Sequence, residues 1–415
     1  MHILDSFPGA WYADSKEKVR KGEREMPKKI SLYKEKIRAG LPAAALLLCA
    51  AILFCLFSAW AAPAPHGGAE DAEPAHYERC KVQQILVDNT TQAEADDGGW
   101  RGDQLMLVQV MTGEHAGETL QVYNYVGPLY GAPLREGDTA VVTISTYLDG
   151  SYVGTIFEYD RLVPLAIVVI LFLAAAILVG GKTGAKSLVG LLFTLLCLFK
   201  LLIPALLKGA PTLLTVFLVC AYIAVVSLTV LGGLQKKTLC AMAGTVTGVL
   251  LAMLFGLLAQ HMTRIDGLRL DDVEPLLQLR QAGENIGLRG LLVGGVIISA
   301  LGAVMDVTMG ISSSLWELHS TNPDLDGKQL FRSGMNIGRD MVGTMTNTLI
   351  LAFLGSAFTL ILYLYSLDLE TNQLLSSAFV SIEVISGVSS SIGVILSIPI
   401  TAGICAMALP GRKKS

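Results

Sequence analysis

The sequence predicts an α-helical polytopic membrane protein of about eight transmembrane helices, with a small extracytoplasmic β-barrel or OB-like module between helices 1 and 2. Three observations predict this fold class. The 415 residues are 52% hydrophobic and only 16% charged, against roughly 25% charged residues in a soluble domain. Long apolar stretches recur along the chain, and one acidic segment with strand-like alternation separates the first of them from the rest.

The apolar stretches predict the membrane spans. Crossing the hydrocarbon core takes about 20 mostly apolar residues, and eight stretches meet this length, at 41–61, 162–181, 187–206, 212–232, 240–260, 289–309, 341–365 and 377–409. The last seven form a predicted bundle over 162–409. Ala59, Trp60 and Ala61 resemble a signal-peptidase site, so a cleaved signal peptide is the alternative to an uncleaved anchor for the first span.

Basic residues near the span ends predict the orientation. Lys and Arg are concentrated on the cytoplasmic side of membrane proteins. The basic tail 1–40 and the short basic tail 410–415 are therefore both expected in the cytoplasm, as an even number of spans requires. The predicted location is the cell membrane, with lipid around the spans.

The segment 62–161 is predicted to be a solvated β-rich module. It holds 16 acidic and 5 basic residues. Five runs alternate as strands do, at 81–87, 104–111, 119–125, 140–146 and 152–157. This number of short strands predicts a small barrel or sandwich of the OB type. Trp100, Tyr123, Tyr125 and Tyr130 could line a binding groove, but we interpret them as core and turn-packing residues. The acidity of the module argues against nucleic-acid binding.

Polar side chains are concentrated between Gly302 and Gly355. Asp306 lies in the sixth predicted span, near its cytoplasmic end, and shares a helical face with Glu317. Asn322 and Pro323 have the pattern of a helix start. The residues that continue the polar stripe into the seventh span are Lys328, Arg332, Asn336, Asp340 and Asn347.

This stripe has two interpretations. An ionised side chain at membrane depth costs about 2.5–3.5 kcal/mol, so the stripe should face protein or a water-filled path. Asp306 is a candidate to meet Arg339 or Asp340 across this hairpin, and with Arg339 it would form an ion pair. The side chains that would line a substrate or ion pathway are Asp306, Asn336, Arg339, Asp340 and Asn347. The alternative is that they only join helices or lie at headgroup level.

The last span holds a second polar concentration. Glu383 precedes a Gly/Ser-rich middle, and the stretch 377–409 is long for one straight helix. A broken helix that binds ions or substrate is one interpretation. The other is an amphipathic lead-in containing Glu383, followed by an ordinary span.

The chain lacks the sequence signatures of common enzymes. No Walker A, HExxH, GxSxG or paired-cysteine motif occurs, so we expect no enzyme, no cofactor and no metal site.

Three segments in the stripe carry a family resemblance: GAVMDVTMGISSSLWEL, then NP, then LFRSGMNIGRDMVGTMTNTLILAFLG. They resemble the YibE/F-like family of bacterial multi-pass membrane proteins, and the resemblance extends from about residue 41. It implies membrane location and bacterial origin. It brings no substrate, cofactor or catalytic residue.

Three functions stay open. The leading one is a permease-like transporter of an unidentified small solute or ion, with a second copy of the chain or another membrane protein as its candidate partner. The second is a membrane sensor or assembly factor whose outer β module binds a partner. The third is the membrane subunit of a transporter driven by a separate ATPase, docked through a cytoplasmic amphipathic loop at 310–340 that carries Glu317, Lys328 and Arg332.

Overall fold

The computed structural model describes residues 47–56, 76–92, 99–146, 152–265, 277–278, 287–288 and 290–409. The chain divides into two compact units, Pro65–Val179 and a helical unit formed by Met1–Ala64 with Gly180–Ser415. Most of the first predicted span and both tails lie outside the described residues.

The first unit contains a closed β-barrel. Its strands are β1 (His76–Asp88), β2 (Thr91–Gln92), β3 (Trp100–Val110), β4 (Thr119–Val126), β5 (Thr139–Thr146) and β6 (Tyr152–Tyr159). The order β1-β5-β6-β4-β3 closes through pairing of β1 with β3, and short β2 extends only β3. The β4–β6 pair is parallel and the others are antiparallel. The five predicted runs are the five barrel strands, and closure favours the barrel over the sandwich.

The barrel interior contains an amide network among its apolar side chains. Asn124 Nδ2 donates to Gln104 Oε1 at 2.9 Å, and that oxygen also accepts the Leu134 N–H at 2.9 Å. Gln104 Nε2 donates to the Leu134 carbonyl at 3.1 Å. Both amide side chains are buried, so the network satisfies polar groups that would otherwise be costly. It also fixes the segment after β4 against the barrel.

The aromatic residues interpreted as core are exposed, so that interpretation is wrong. Tyr123 is 45% and Tyr125 is 55% exposed. Trp100 and Tyr130 are exposed as well. Inward positions on β4 are taken by Leu120, Val122, Asn124 and Val126, and strand alternation places the tyrosines outside.

The helices are α1 (Leu47–Leu56), α2 (Leu162–Cys197), α3 (Ile203–Leu207), α4 (Thr212–Gly232), α5 (Lys236–Thr263), α6 (Leu291–Thr321), α7 (Gly327–Ser356), α8 (Phe358–Ser366), α9 (Thr371–Leu375) and α10 (Ala378–Ala408). A π-helix, Leu198–Leu202, joins α2 to α3. The core of the helical unit lies among α4, α5, α6 and α10, with the π-helix at its side.

By length and composition, five helical segments in the described residues could cross a membrane, and a sixth is obtained if α7 and α8, bent by 61°, form one span. The number eight is therefore not confirmed. Residues 162–207 count as one of these segments, although the helix is broken within it. Its non-helical residue is Gly181, with φ 53°, beside the predicted division between the second and third spans.

The helix bounds correct two local predictions and decide between the two interpretations of the last span. Residues 310–340 are not a loop, because α6 continues to Thr321 and α7 begins at Gly327. Asn322 ends α6 and does not start α7, whose N-cap is Asp326 in a capping box with Gln329. The local contacts of Asp326 satisfy the free N–H groups of the first turn. Finally, α10 is one continuous helix through its Ser-rich middle, which excludes the broken-helix interpretation of the last span and leaves the other one.

Candidate functional site: the polar face of helices α6 and α7

Helices α6 and α7 pack antiparallel through their small residues. A Cβ at Gly334 would lie 2.8 Å from Ala402 Cβ and 3.0 Å from Leu315 Cδ1. A Cβ at Gly338 would lie within 3.5 Å of both Ile311 and Ile398. Glycine at these positions lets α7 approach α6 and α10 closely.

The opposite face of α7 carries the polar stripe, and it is exposed on this chain. The exposed polar side chains of α7 are Lys328, Gln329, Arg332, Asn336, Arg339, Asp340, Thr344, Asn347, Thr348 and Ser356. The buried residues of α7 are Leu330, Gly334 and Gly338. The polar face predicted from periodicity therefore exists, but it points away from the bundle of its own chain.

Asp306 is also exposed and lies at the centre of α6. It is the sixteenth of 31 residues, because α6 extends twelve residues beyond the predicted end of the sixth span. It therefore lies in mid-helix, away from the end where the sequence analysis placed it. A Cβ at Gly310, one turn further along α6, would lie 3.1 Å from Met341 Cε of α7. Asp306 is therefore about one turn from the α6–α7 contact.

The predicted ion pair across the α6–α7 hairpin is not formed. Within the part of the chain that the structure describes, Asp306, Arg339 and Asp340 have no hydrogen-bond or ion-pair partner. Each unpaired charge at membrane depth costs about 2.5–3.5 kcal/mol. The stripe is thus a set of polar groups whose partners are not supplied by these helices.

The bundle interior contains hydroxyl groups that are paired with one another. Thr245 and Thr308 Oγ1 atoms lie 2.7 Å apart, and Ser299 and Ser390 Oγ atoms lie 3.0 Å apart. The Ser312 hydroxyl donates to the Lys237 carbonyl. We call this row between α5, α6 and α10 the hydroxyl seam. It joins helices in the way that side-chain hydrogen bonds do in membrane bundles.

The hydroxyl seam is tightly packed. A Cβ at Gly248 would lie 2.7 Å from Val304 Cγ1 and 2.8 Å from Ser397 Cβ. A Cβ at Gly393 would lie 2.6 Å from Ala252 Cβ. Real Cβ atoms do not approach this closely, so the seam has no room for a solute at these levels.

Glu383 lies apart from the stripe. It lines a cavity of about 170 Å³ whose other lining residues, from α7, α8, α10 and Ala357, are all apolar or glycine. A Cβ at Gly387, which lines the same cavity, would lie 3.5 Å from Phe353 Cδ2. The structure therefore does not bring Glu383 together with Asp306, Arg339 and Asp340.

The residues predicted for cytoplasmic docking lie on helix ends. Glu317 is on the last turn but one of α6, and Lys328 and Arg332 are on the first two turns of α7. All three are exposed. Only residues 322–326 separate the two helices, which leaves no independent docking loop.

The tyrosines of β4 form a second exposed feature, as the binding-groove alternative to the core interpretation requires. The rings of Tyr123 and Tyr125 are 6.0 Å apart and inclined by 13°. Leu105 and Asp103 of β3 are their cross-strand partners, so the four side chains share the outer face. Two aromatic residues at alternate positions of one strand were a usable signal.

A closed barrel and a bundle of apolar helices with a polar outer stripe define a helical membrane protein. The chain belongs to the YibE/F-like protein family, which it matches over residues 168–411, more than half of its length. The resemblance found in the sequence is thereby confirmed, and bacterial origin stays a prediction. The barrel lies outside the matched residues. The chain matches none of the curated proteins and none of the solved structures compared with it.

Proposed function

We propose that this protein is a permease-like transporter of a small solute or ion, and that the α6–α7 polar face forms one wall of its pathway. The observation that supports this most strongly is the placement of Asp306, Arg339 and Asp340, which are exposed near the middle of two long helices. Charges at such positions are rare unless a substrate or ion pathway needs them.

The depth of Asp306 supports the same proposal. Thr308 contacts Thr245 of α5 at 2.7 Å, so the two residues share a level in the bundle. Thr245 follows Lys236, the first residue of α5, by nine residues, about 14 Å of helix. Ser312, six residues beyond Asp306 on α6, bonds to the Lys237 carbonyl, and this contact gives a separation of about 9 Å instead. With Lys236 at the edge of a hydrocarbon core about 30 Å thick, Asp306 would lie about 9–14 Å inside it.

The matched substitution Asp306→Asn tests the proposal. It keeps the size and hydrogen-bonding groups of the side chain and removes its charge. Asp368→Asn is the control, because Asp368 is exposed in the turn between α8 and α9 and has a positive φ that Asn tolerates. Solute contents of cells expressing each variant are compared with cells expressing the unaltered protein and with cells lacking it.

We expect Asp306→Asn to resemble the cells that lack the protein and Asp368→Asn to resemble the unaltered protein, at equal membrane abundance. A solute profile unchanged by Asp306→Asn would reject the pathway.

The exposed pair Tyr123 and Tyr125 favours the second function, a membrane sensor whose barrel binds a partner. Stacked, half-exposed aromatic rings provide binding area at low entropic cost. In this case a Tyr123→Ser, Tyr125→Ser variant should lose the phenotype of the gene while Asp306→Asn keeps it. Met111→Ser is the control, since Met111 is exposed just beyond the end of β3, six residues from Leu105, the cross-strand partner of Tyr123. The opposite pattern would reject the sensor and favour the transporter.

A further inference from the structure

We propose that the exposed face of α7 is the interface with a second copy of this chain, in which Arg339 of each copy pairs with Asp340 of the other. The proposal goes beyond transport and does not require it. In this interface Arg339 and Asp340 are paired with each other, so a pathway would run beside the contact, along Asp306 of α6.

The two faces of α7 are diametrically opposed. Successive residues of an α-helix are about 100° apart, so Gly343 lies about 180° from Gly334, which is buried against α6 and α10. Asn336 and Asn347 lie within about 40° of Gly343 by the same rule. The line Asn336, Gly343, Asn347 therefore marks the centre of the exposed face.

Arg339 and Asp340 flank this line. They are adjacent in sequence, so they lie roughly 50° to either side of it and about 1.5 Å apart in depth. Around a twofold axis parallel to two copies of α7, the side of one helix that carries Arg339 faces the side of the other that carries Asp340. A twofold interface requires such reciprocal contacts. Two Arg339–Asp340 pairs then form at one depth.

The centre of the face suits a close approach. A Cβ at Gly343 would have no atom of the described residues within 4 Å, so none of them fills the space beside it. Asn336 and Asn347 each carry a donor and an acceptor, so each can pair with its own copy across the axis. Small residues and amides of this kind are typical of helix interfaces in membranes.

The charges of Arg339 and Asp340 indicate which molecule covers the exposed face of α7. Lipid chains offer no partner for Arg339 or Asp340. A second copy offers both signs in the complementary order and, inserted in the same direction, at the same depth. This complementarity selects a second copy over an unrelated apolar helix.

The experiment uses two charge reversals in the full chain. Arg339→Asp places two acidic residues on the face, and Asp340→Arg places two basic residues there. Each variant should associate with itself at least tenfold more weakly than the unaltered protein. A mixture of the two variants should associate as strongly as the unaltered protein, because acidic and basic faces then meet. Lys200→Asp, a reversal at an exposed position outside α7, is the control and should not weaken association.

Association is measured by energy transfer between donor- and acceptor-labelled copies in phosphatidylcholine vesicles, over a series of protein-to-lipid ratios. An unaltered protein that stays monomeric at high density, or variants that associate with themselves normally, would overturn the proposal. So would a mixture that fails to associate. Cysteine cross-linking tests the interface without the charge reversals, which could also cause misfolding. Asn336→Cys, with Cys49 and Cys55 replaced by Ser, should cross-link between copies, whereas Lys200→Cys in the same background should not. Equal cross-linking of the two would also overturn it.

Discussion

Replacing Gly248 by Ala tests the close packing of the hydroxyl seam. A Cβ there would lie 2.7 Å from Val304 Cγ1, 2.8 Å from Ser397 Cβ and 3.3 Å from the Gly393 carbonyl oxygen. Two of these atoms lie on or next to backbone, so the variant must push α5 away from α6 and α10. Overpacking of this kind costs about 1–3 kcal/mol, while the better helix propensity of Ala returns about 1 kcal/mol.

Gly295→Ala is the matched control. Gly295 lies on the exposed side of α6, and a Cβ there would have no atom within 4 Å. This variant gains helix propensity without a clash, so it should be as stable as the unaltered protein or up to about 1 kcal/mol more stable. Reversible unfolding of the full chain in mixed micelles should therefore rank Gly248→Ala below Gly295→Ala by about 1–3 kcal/mol. Equal stability of the two variants would refute the close contact, and with it the argument that solute cannot pass through the seam.

Three further variants test separate contacts. Asp326→Ala removes the capping box of α7 and should lower the free energy of unfolding by about 1 kcal/mol, measured by denaturant unfolding; an unchanged value would contradict the cap. Asp160 is buried, which by itself would raise its pKa, but the Leu162 N–H and the Arg79 guanidinium outweigh burial and hold its pKa below the usual value. The stabilisation by ionised Asp160 is therefore present above the unfolded pKa of about 3.9 and is lost as the pH falls through the lower folded pKa. Asp160→Asn should flatten the pH dependence of barrel stability in this range. A profile as steep as that of the unaltered protein would count against the contact. Tyr222→Phe removes the hydroxyl that donates to the Ala50 carbonyl and should loosen α1, measured as faster amide hydrogen exchange in α1; unchanged exchange would show that this bond does not hold it.

Periodicity in the sequence predicted where most helices and strands lie. It did not predict which of their faces are buried. Alternation on β4 separates two faces, one with Tyr123 and Tyr125 and one with Val122 and Asn124. Hydrophobicity places the tyrosines inside. The fold places Asn124 inside instead, because Gln104 and the Ala132 carbonyl supply its hydrogen bonds. Those partners are 20 and 8 residues away in sequence, and no local pattern reveals them.

The same limit applies to small residues. The pairs Gly244 and Gly248, and Gly334 and Gly338, predict helix contact in general terms. Which helices meet depends on the arrangement of the bundle, where Gly248 faces Val304 and Ser397 and Gly338 faces Ile398. The continuity of α10 was also undecidable locally, because Ser390 bonds to Ser299 of α6 and Ser391 to its own helix, so both hydroxyls are satisfied without a break.

The sequence by itself determined that this is a helical membrane protein with a small β-rich module, and that α7 carries one polar stripe. Composition and helical or strand periodicity carry that information because they are properties of single elements. Only the tertiary structure decided where the stripe points. Leu330, Gly334 and Gly338 pack against α6 and α10, and this turns Asn336, Arg339 and Asp340 away from the bundle. Direction is a relation between helices, so it follows from their packing and not from the order of residues in any one of them.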